Sequence, residues 1–229
     1  MKLHPYITLK VLTIGAEKAP LLVIDNVTDA DALVALASSL PFTPTSRYFP
    51  GIRAPAPPEY QQLVASHLAK TFAKYFGLEG TSLRFSMCQF SLVTTAAESL
   101  APLQRIPHID SVDKTGLATI HYLFKKDLGG TAFYRHRSTG FESIDESRQE
   151  TYWKELGAQM DGPDRPGAEY INGTTALFEQ IAKQDGVYNR MLVYRRNVLH
   201  SGCIGADFVP DPNPRTGRLS INSFIDIGP

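Results

Sequence analysis

Cysteine is scarce in this chain: Cys88 and Cys203 are the two it has in 229 residues. They form no CxxC pair, which excludes a zinc ribbon. Thiols this few suit a reducing compartment, so a cytoplasmic protein is expected. A net charge of either sign is also lacking. The 23 Lys and Arg balance the 23 Asp and Glu, which argues against nucleic acid or an anionic membrane surface as partner, since both select a basic excess. Zero charge leaves nothing to oppose the pairing of two copies, and a homodimer is compatible with it. No apolar run approaches the roughly 18 residues that span a bilayer. The opening "MKLHPYITLKVLTIG" is broken by His4, Pro5 and Lys10 and lacks the apolar core of a signal peptide. There is no Gly-x-Ser-x-Gly elbow of a serine hydrolase, and no internal repeat, low-complexity tract or linker. What is present is the balance of a globular domain, 43% hydrophobic and 20% charged, long enough to close a sizeable core. One domain over 1–229 is the simplest reading.

Patterning gives the chain two textures. "PLLVIDNV", from Pro20, reads as a buried strand. Helices then dominate a part spanning about 28–80. Thr28 caps a helix over "DADALVALASSL", with Asp29 and Asp31 in the first turn, where the helix dipole favours acids, and Pro41 stops it. "FTPTSRYFPGIRAPAPPE" is rich in proline and aromatic residues and reads as an ordered loop. "EYQQLVASHLAKTFAKYFG" is the clearest helix. Its Tyr60, Leu63, Val64, Leu68, Phe72, Tyr75 and Phe76 recur at three- and four-residue spacing, and Gly77 suits the C-terminal cap. From about 81 to 229 short β-branched or aromatic runs take over: "LRFSMCQFSLV", "LATIHYLF", "TAFYRH", "RMLVYRRNVLH" and "LSINSFID". These read as strands of a β-rich core. A polar, helical "FESIDESRQETYWKELGAQM" marks an inserted segment over about 138–185, either a lid or a surface decoration. "TTALFEQIAKQDG" fits strand or helix equally. The expected fold is mostly β with flanking helices, a sandwich or barrel.

The chemistry begins at "PHID". In an extended chain residues i and i+2 share a side, so His108 and Asp110 can converge on one point. Alone the tripeptide is weak, because a solvated loop pair explains it better. A histidine from a neighbouring strand would complete two imidazoles and one carboxylate on one face of an ion, the set found in non-haem Fe(II) oxygenases. His200 is the preferred third ligand, since it ends a strand and is followed by Ser201-Gly202. His121, within "ATIHYLF", reads as a core or back-face residue. His136, within "RHR", reads as exposed, and His4 and His67 belong to the N-terminal part. Further on, "RLSINSF" puts Arg218 and Ser220 on one face of a strand. An arginine inside a barrel needs an anion, and a small dicarboxylate would serve, because the guanidinium binds a carboxylate in bidentate fashion. Ser220 and the Tyr122 hydroxyl would add hydrogen bonds. A surface arginine on an edge strand is the plainer alternative.

Taken in order, "PLLVIDNV…DALVAL", "HID", "IHYLF", "GGTAFY", "NVLHSG" and "RLSINSF" resemble the prolyl-4-hydroxylase-like branch of the Fe(II)/2-oxoglutarate-dependent dioxygenases. "GGTAFYRHRSTG" and "YNRMLVYRRNVLHSG" more closely resemble a group of bacterial proteins of unknown function (domain of unknown function 6445). The resemblance covers roughly 20–227. It implies a double-stranded β-helix, the cupin-like jelly roll, with Fe(II) held at one mouth by His108, Asp110 and His200. It also implies 2-oxoglutarate as cosubstrate, its distal carboxylate on Arg218 with Ser220 and Tyr122 beside it. Gly129-Gly130-Thr131 matches a turn entering a core strand. The implied reaction is oxidative decarboxylation of 2-oxoglutarate coupled to attack on a substrate C–H bond. Two departures stand out. The 18 residues from His200 to Arg218 exceed the usual spacing, leaving Arg215 as a rival for the carboxylate. The inserted segment is the second departure, and it could select the substrate.

The expected function is therefore an iron- and 2-oxoglutarate-dependent oxygenase, a hydroxylase of a small molecule, amino acid or peptide side chain. A non-catalytic jelly-roll binding domain remains open, as does a metal-dependent hydrolase using the same ligands. Phe90, Phe124, Phe133 and Tyr134 are candidates to line its pocket, and Arg47, Arg53 and Arg135 could attract an acidic group.

Overall fold

The computed structural model describes residues 1–80 and 82–228. Among these residues ten strands and three α-helices follow the order β1 (Thr8–Ile14), β2 (Ala19–Asp25), α1 (Ala30–Ala37), β3 (Gly51–Pro55), α2 (Pro58–Phe76), β4 (Ser82–Val93), β5 (Leu117–Tyr122), β6 (Gly130–His136), α3 (Gln149–Met160), β7 (Phe178–Gln184), β8 (Arg190–Arg195), β9 (His200–Cys203) and β10 (Leu219–Gly228). Seven strands form one sheet in the order β1-β2-β8-β5-β10-β4-β3, and three form a second in the order β7-β6-β9. Every pairing is antiparallel. The two sheets face each other as a double-stranded β-helix, the mostly β fold with flanking helices that the strand pattern anticipates.

Period-two alternation builds the layers. Along β5, Leu117 and, just beyond it, Leu123 join the core under the helices. Ala118, Ile120 and Tyr122 turn to the opposite core between the sheets. All six β5 residues are buried, because this central strand is covered on both faces. On the helical side, α2 lays Tyr60, Val64, Leu68, Phe72 and Phe76 against Phe90, Leu92, Ile221 and Ile225. Each such side chain removed from water is worth about 1.5–3 kcal/mol. Gly77 closes α2 at φ 60, in the left-handed region that glycine enters without a Cβ penalty. Beyond the small sheet, α3 packs Tyr152 and Leu156 on Ala132, Tyr134 and Phe178.

Several sequence expectations are corrected. Thr28 does not cap α1. Asp29 does, its carboxylate accepting from the Ala32 amide at 3.0 Å, while Thr28 is buried with its hydroxyl on the Lys2 carbonyl. The helix stops at Ala37, before Pro41. The Pro-rich loop contains β3, an edge strand on β4, where proline costs no ladder bond. The part spanning about 28–80 is therefore not wholly helical, whereas β2 is the strand expected at "PLLVIDNV" and carries β1 to the edge of the large sheet. The ambiguous run at the end of the inserted segment is strand β7, paired with β6, so the last residues of that segment belong to the small sheet. His136 is buried rather than exposed, its Nε2 2.8 Å from Gln159 Oε1 of α3. Of the four aromatics named for the pocket, Phe124 and Phe133 face between the sheets, whereas Phe90 packs under the helices and Tyr134 under α3.

Candidate metal centre

His108 and His200 sit opposite each other in an isolated antiparallel bridge, exchanging backbone bonds of 2.9 and 3.0 Å. His200 opens β9, and the HID segment runs alongside 196–200, with the Asp110 amide donating to the Arg196 carbonyl at 2.8 Å. This docking brings three side chains together that lie up to 92 positions apart. One ligand atom from each of His108, Asp110 and His200 lies within 4.8 Å of the others, and they are the group of this kind found among the described residues. Both imidazoles present Nε2 to the carboxylate, at 3.7 Å for His108 and 3.5 Å for His200.

The protonation pattern suits a cation. His200 Nδ1 lies 2.9 Å from the Val198 carbonyl. A carbonyl only accepts, so Nδ1 carries the hydrogen and Nε2 offers its lone pair. Burial pulls the basicity of His200 down to about 4, which keeps it neutral. Burial pushes Asp110 upward, while His108, Arg196 and Arg53 pull the other way. A desolvated carboxylate between two neutral imidazoles is short of positive charge. One side stays open: the His108 side chain is 51% exposed, against 11% for Asp110 and 6% for His200. The donor set therefore fits an ion held on one face with further positions free.

Arg218 is buried, and no acid pairs with it among the described residues. Its Nε donates to the Leu128 carbonyl at 2.9 Å and its Nη2 to the Gly130 carbonyl at 2.8 Å. Those two bonds aim the guanidinium, and among the described residues they are its hydrogen bonds, through Nε and Nη2 and not Nη1. The Gly129-Gly130 turn is thus a clamp as well as a turn. Gly129 has φ +79 and lies so close to the Cys203 carbonyl that a Cβ would collide with it. Burial depresses Arg218, with Tyr122, Tyr170 and Cys203 opposing the shift. Arg218 Nη2 lies by Gly202, two residues along β9 from His200, on the order of 6.6 Å. It also lines a cleft of about 480 Å³ with Asn172, Lys183, Cys203, Gly205 and Thr216. The three candidate ligands do not line that cleft. Arg215 is exposed, in the turn before β10.

The other two residues named with Arg218 are engaged differently. The Tyr122 hydroxyl is 2.7 Å from Thr131 Oγ1, and burial raises its pKa to about 12 while Arg218 acts to lower it. Ser220 donates to Asn222 Oδ1 at 2.7 Å, within its own strand. His121 is on the helix side, held between the Tyr60 hydroxyl (3.1 Å) and Asn189 Oδ1 (3.0 Å).

A protein family described as a family of unknown function (DUF6445) matches residues 5–225. The chain belongs to that family. No curated protein sequence matches it. Solved structures resemble this DUF6445 member in fold. The epimerase SnoN in complex with Fe3+, alpha ketoglutarate and nogalamycin RO aligns with TM-score 0.53 at 14% identity, over 92% of this chain and 80% of that one. HygX from Streptomyces hygroscopicus, with nickel and 2-oxoglutarate bound, aligns with TM-score 0.51 at 12% identity, over 92% and 84%. The non-heme alpha ketoglutarate dependent carbocyclase SnoK, from nogalamycin biosynthesis, gives TM-score 0.50 at 10% identity, over 92% and 81%.

Three neighbours of the DUF6445 site escape a reading by motif. Tyr194 places its ring 4.6 Å from that of His200, and alternation with Leu192 along β8 would have shown that it faces inward. Arg196 pairs with Asp226 and Asp113 and acts on Asp110; nothing in "YRRN" distinguishes it from Arg195. Thr131, the partner of Tyr122, read only as part of a turn.

Proposed function

We propose that this protein is an Fe(II)- and 2-oxoglutarate-dependent oxygenase that hydroxylates a small-molecule, amino-acid or peptide substrate. The observation that carries the reading is the convergence of His108, Asp110 and His200, with His200 Nδ1 committed to a carbonyl so that Nε2 is free. The relatives in fold whose descriptions name iron or nickel with 2-oxoglutarate support the choice of metal and cosubstrate. The order of the motifs supports the prolyl-4-hydroxylase-like branch.

In this reading His108, Asp110 and His200 hold the iron. Arg218, aimed by the Leu128 and Gly130 carbonyls, takes the distal carboxylate of 2-oxoglutarate through Nη1. Tyr122 and Thr131 form a hydrogen-bonding pair beside it, and Ser220 lies in the same inner row. Iron and 2-oxoglutarate, when bound, would activate dioxygen, the oxidant for a C–H bond, with 2-oxoglutarate giving up two electrons as it becomes succinate and carbon dioxide. The chain's own residues orient and exclude water: Phe133 and Tyr194 pack edge to face at 5.3 Å and wall the site with aromatic carbon. The test is an anaerobic titration with Fe(II) and then 2-oxoglutarate, followed by succinate release in oxygen with and without candidate substrates. Stoichiometric binding of both and succinate formation are expected. Metal uptake with no affinity for 2-oxoglutarate would instead favour a hydrolase or a binding domain.

A further inference from the structure

Arg53 is a cation without an anion. It lies in edge strand β3 opposite Ser91 of β4, Ser91 is opposite Ser220 of β10, and Ser220 is opposite Tyr122 of β5. Residues directly opposed in antiparallel strands share a face. Tyr122 belongs to the core between the sheets, so Arg53 heads an inner row running Arg53, Ser91, Ser220, Tyr122. Its neighbours Ile52 and Ala54 point the other way, into the core under the helices. Arg53 Cζ sits 4.2 Å from the centroid of the Phe49 ring, and Nη1 is 3.8 Å from Met87 Sδ. Its Nε is buried and bonded to nothing, and no carboxylate pairs with Arg53 among the described residues. Its charge nonetheless bears on Asp110 and His108. A guanidinium braced on an aromatic ring, half-buried at the open rim of the large sheet and aimed inward, lacks only an oxyanion.

We propose that Arg53 receives a carboxylate of the substrate, so that the substrate is a small carboxylic acid anchored at the β3 rim with its reacting carbon toward His108 and Asp110. The inference rests on the reading of the triad and Arg218 as an iron and 2-oxoglutarate site. A planar fork accepts a carboxylate through two parallel bonds, and Phe49 restricts the rotamers that would otherwise be lost on binding. Arg218, fully buried and clamped by two carbonyls, already serves the cosubstrate, which leaves Arg53 for the second anion.

The experiment uses the full chain loaded with redox-inert Ni(II), as wild type, Arg53→Lys and Arg53→Gln. Calorimetry first measures 2-oxoglutarate. Ligand-observed NMR on the ternary complex then compares a panel of N-acetyl amino acids with their C-terminal amides. At least one acid should be preferred over its amide by about tenfold in the wild type. Arg53→Gln should abolish that preference while leaving 2-oxoglutarate affinity within about twofold, and Arg53→Lys should keep part of it. Absence of any preference in the wild type, or its survival in Arg53→Gln, overturns the proposal. So does a tenfold loss of 2-oxoglutarate affinity in Arg53→Gln, on the order of 1.4 kcal/mol, which would assign Arg53 to the cosubstrate. A wild type that binds neither Ni(II) nor 2-oxoglutarate refutes the underlying reading and this proposal with it, and shows itself in the first titration, before any acid is added.

Discussion

The two ring nitrogens of His200 divide their work: Nδ1 donates to Val198 and Nε2 faces Asp110. Asp110, half-buried between two imidazoles, is an unfavourable arrangement for the metal-free chain and a favourable one for a cation. Asp110→Asn should therefore raise the stability of the metal-free protein by about 1 kcal/mol, read as a higher thermal midpoint. The same change should weaken metal binding by at least about a hundredfold, so that added Fe(II) no longer shifts the midpoint. A variant that loses stability without metal would show that Asp110 is structural. Arg218→Met keeps the length of the side chain and removes the fork. It should reduce 2-oxoglutarate affinity about ten- to a hundredfold with Fe(II) affinity unchanged, both measured by calorimetry. At this scale His108 with Asp110 was legible as a spacing, and Arg218 with Ser220 as a strand face. Thr131 was not, and Arg53 was only one of three arginines that could attract an acidic group, because a hydroxyl or a guanidinium is not singled out until its partner, or the lack of one, is known.

Turns decide how the elements deliver these residues. The Gly129 turn presents two carbonyls to Arg218, and only glycine suits its φ of +79 beside the Cys203 carbonyl. Gly129→Ala should cost about 1–3 kcal/mol of stability, seen in urea denaturation, and should also weaken 2-oxoglutarate binding. Loss of stability with affinity intact would separate the turn from the clamp. A second corner rests on Asn189. Its Oδ1 accepts from the Val27 and Thr28 amides and contacts His121, while its Nδ2 donates to the Thr28 carbonyl. This ties the β2–α1 corner to the start of β8. α2 was plain from its apolar stripe, whereas β1 was missed because its pattern is exposed over most of its length. Nothing local distinguishes such a strand from a polar loop until β2 pairs with it.

At the scale of the molecule, two sheets and their helical covers bury imidazoles far from any ligand role. His121 is fully buried between α2 and the large sheet, and burial pulls it down to about 4; burial lowers His136 as well. A histidine whose folded pKa lies below its unfolded value near 6.5 binds fewer protons folded than unfolded. Its contribution is whole above about pH 6.5 and is lost as pH falls from there toward 4. Stability should therefore decline through that window, by about 1–3 kcal/mol for His121 alone, and His121→Gln should flatten the decline in denaturation curves taken across it. An equal slope in the variant would place the acid sensitivity elsewhere.

The sequence by itself determined the local matters: which runs alternate as strands, where α2 begins and caps, and that a His-x-Asp pair precedes a histidine at a strand terminus, read as the end of "RMLVYRRNVLH" where the structure divides that run into β8 and β9 with His200 opening the second. These follow from periodicities of a few residues, which a chain carries wherever it is placed. Only the tertiary structure decided that the HID segment docks along 196–200, that Arg218 is clamped by the Gly129 turn, that Arg53 shares a row with Tyr122, and that His136 is buried. Each depends on register between strands distant in sequence, and a shift of one residue would turn every one of those side chains to the other face.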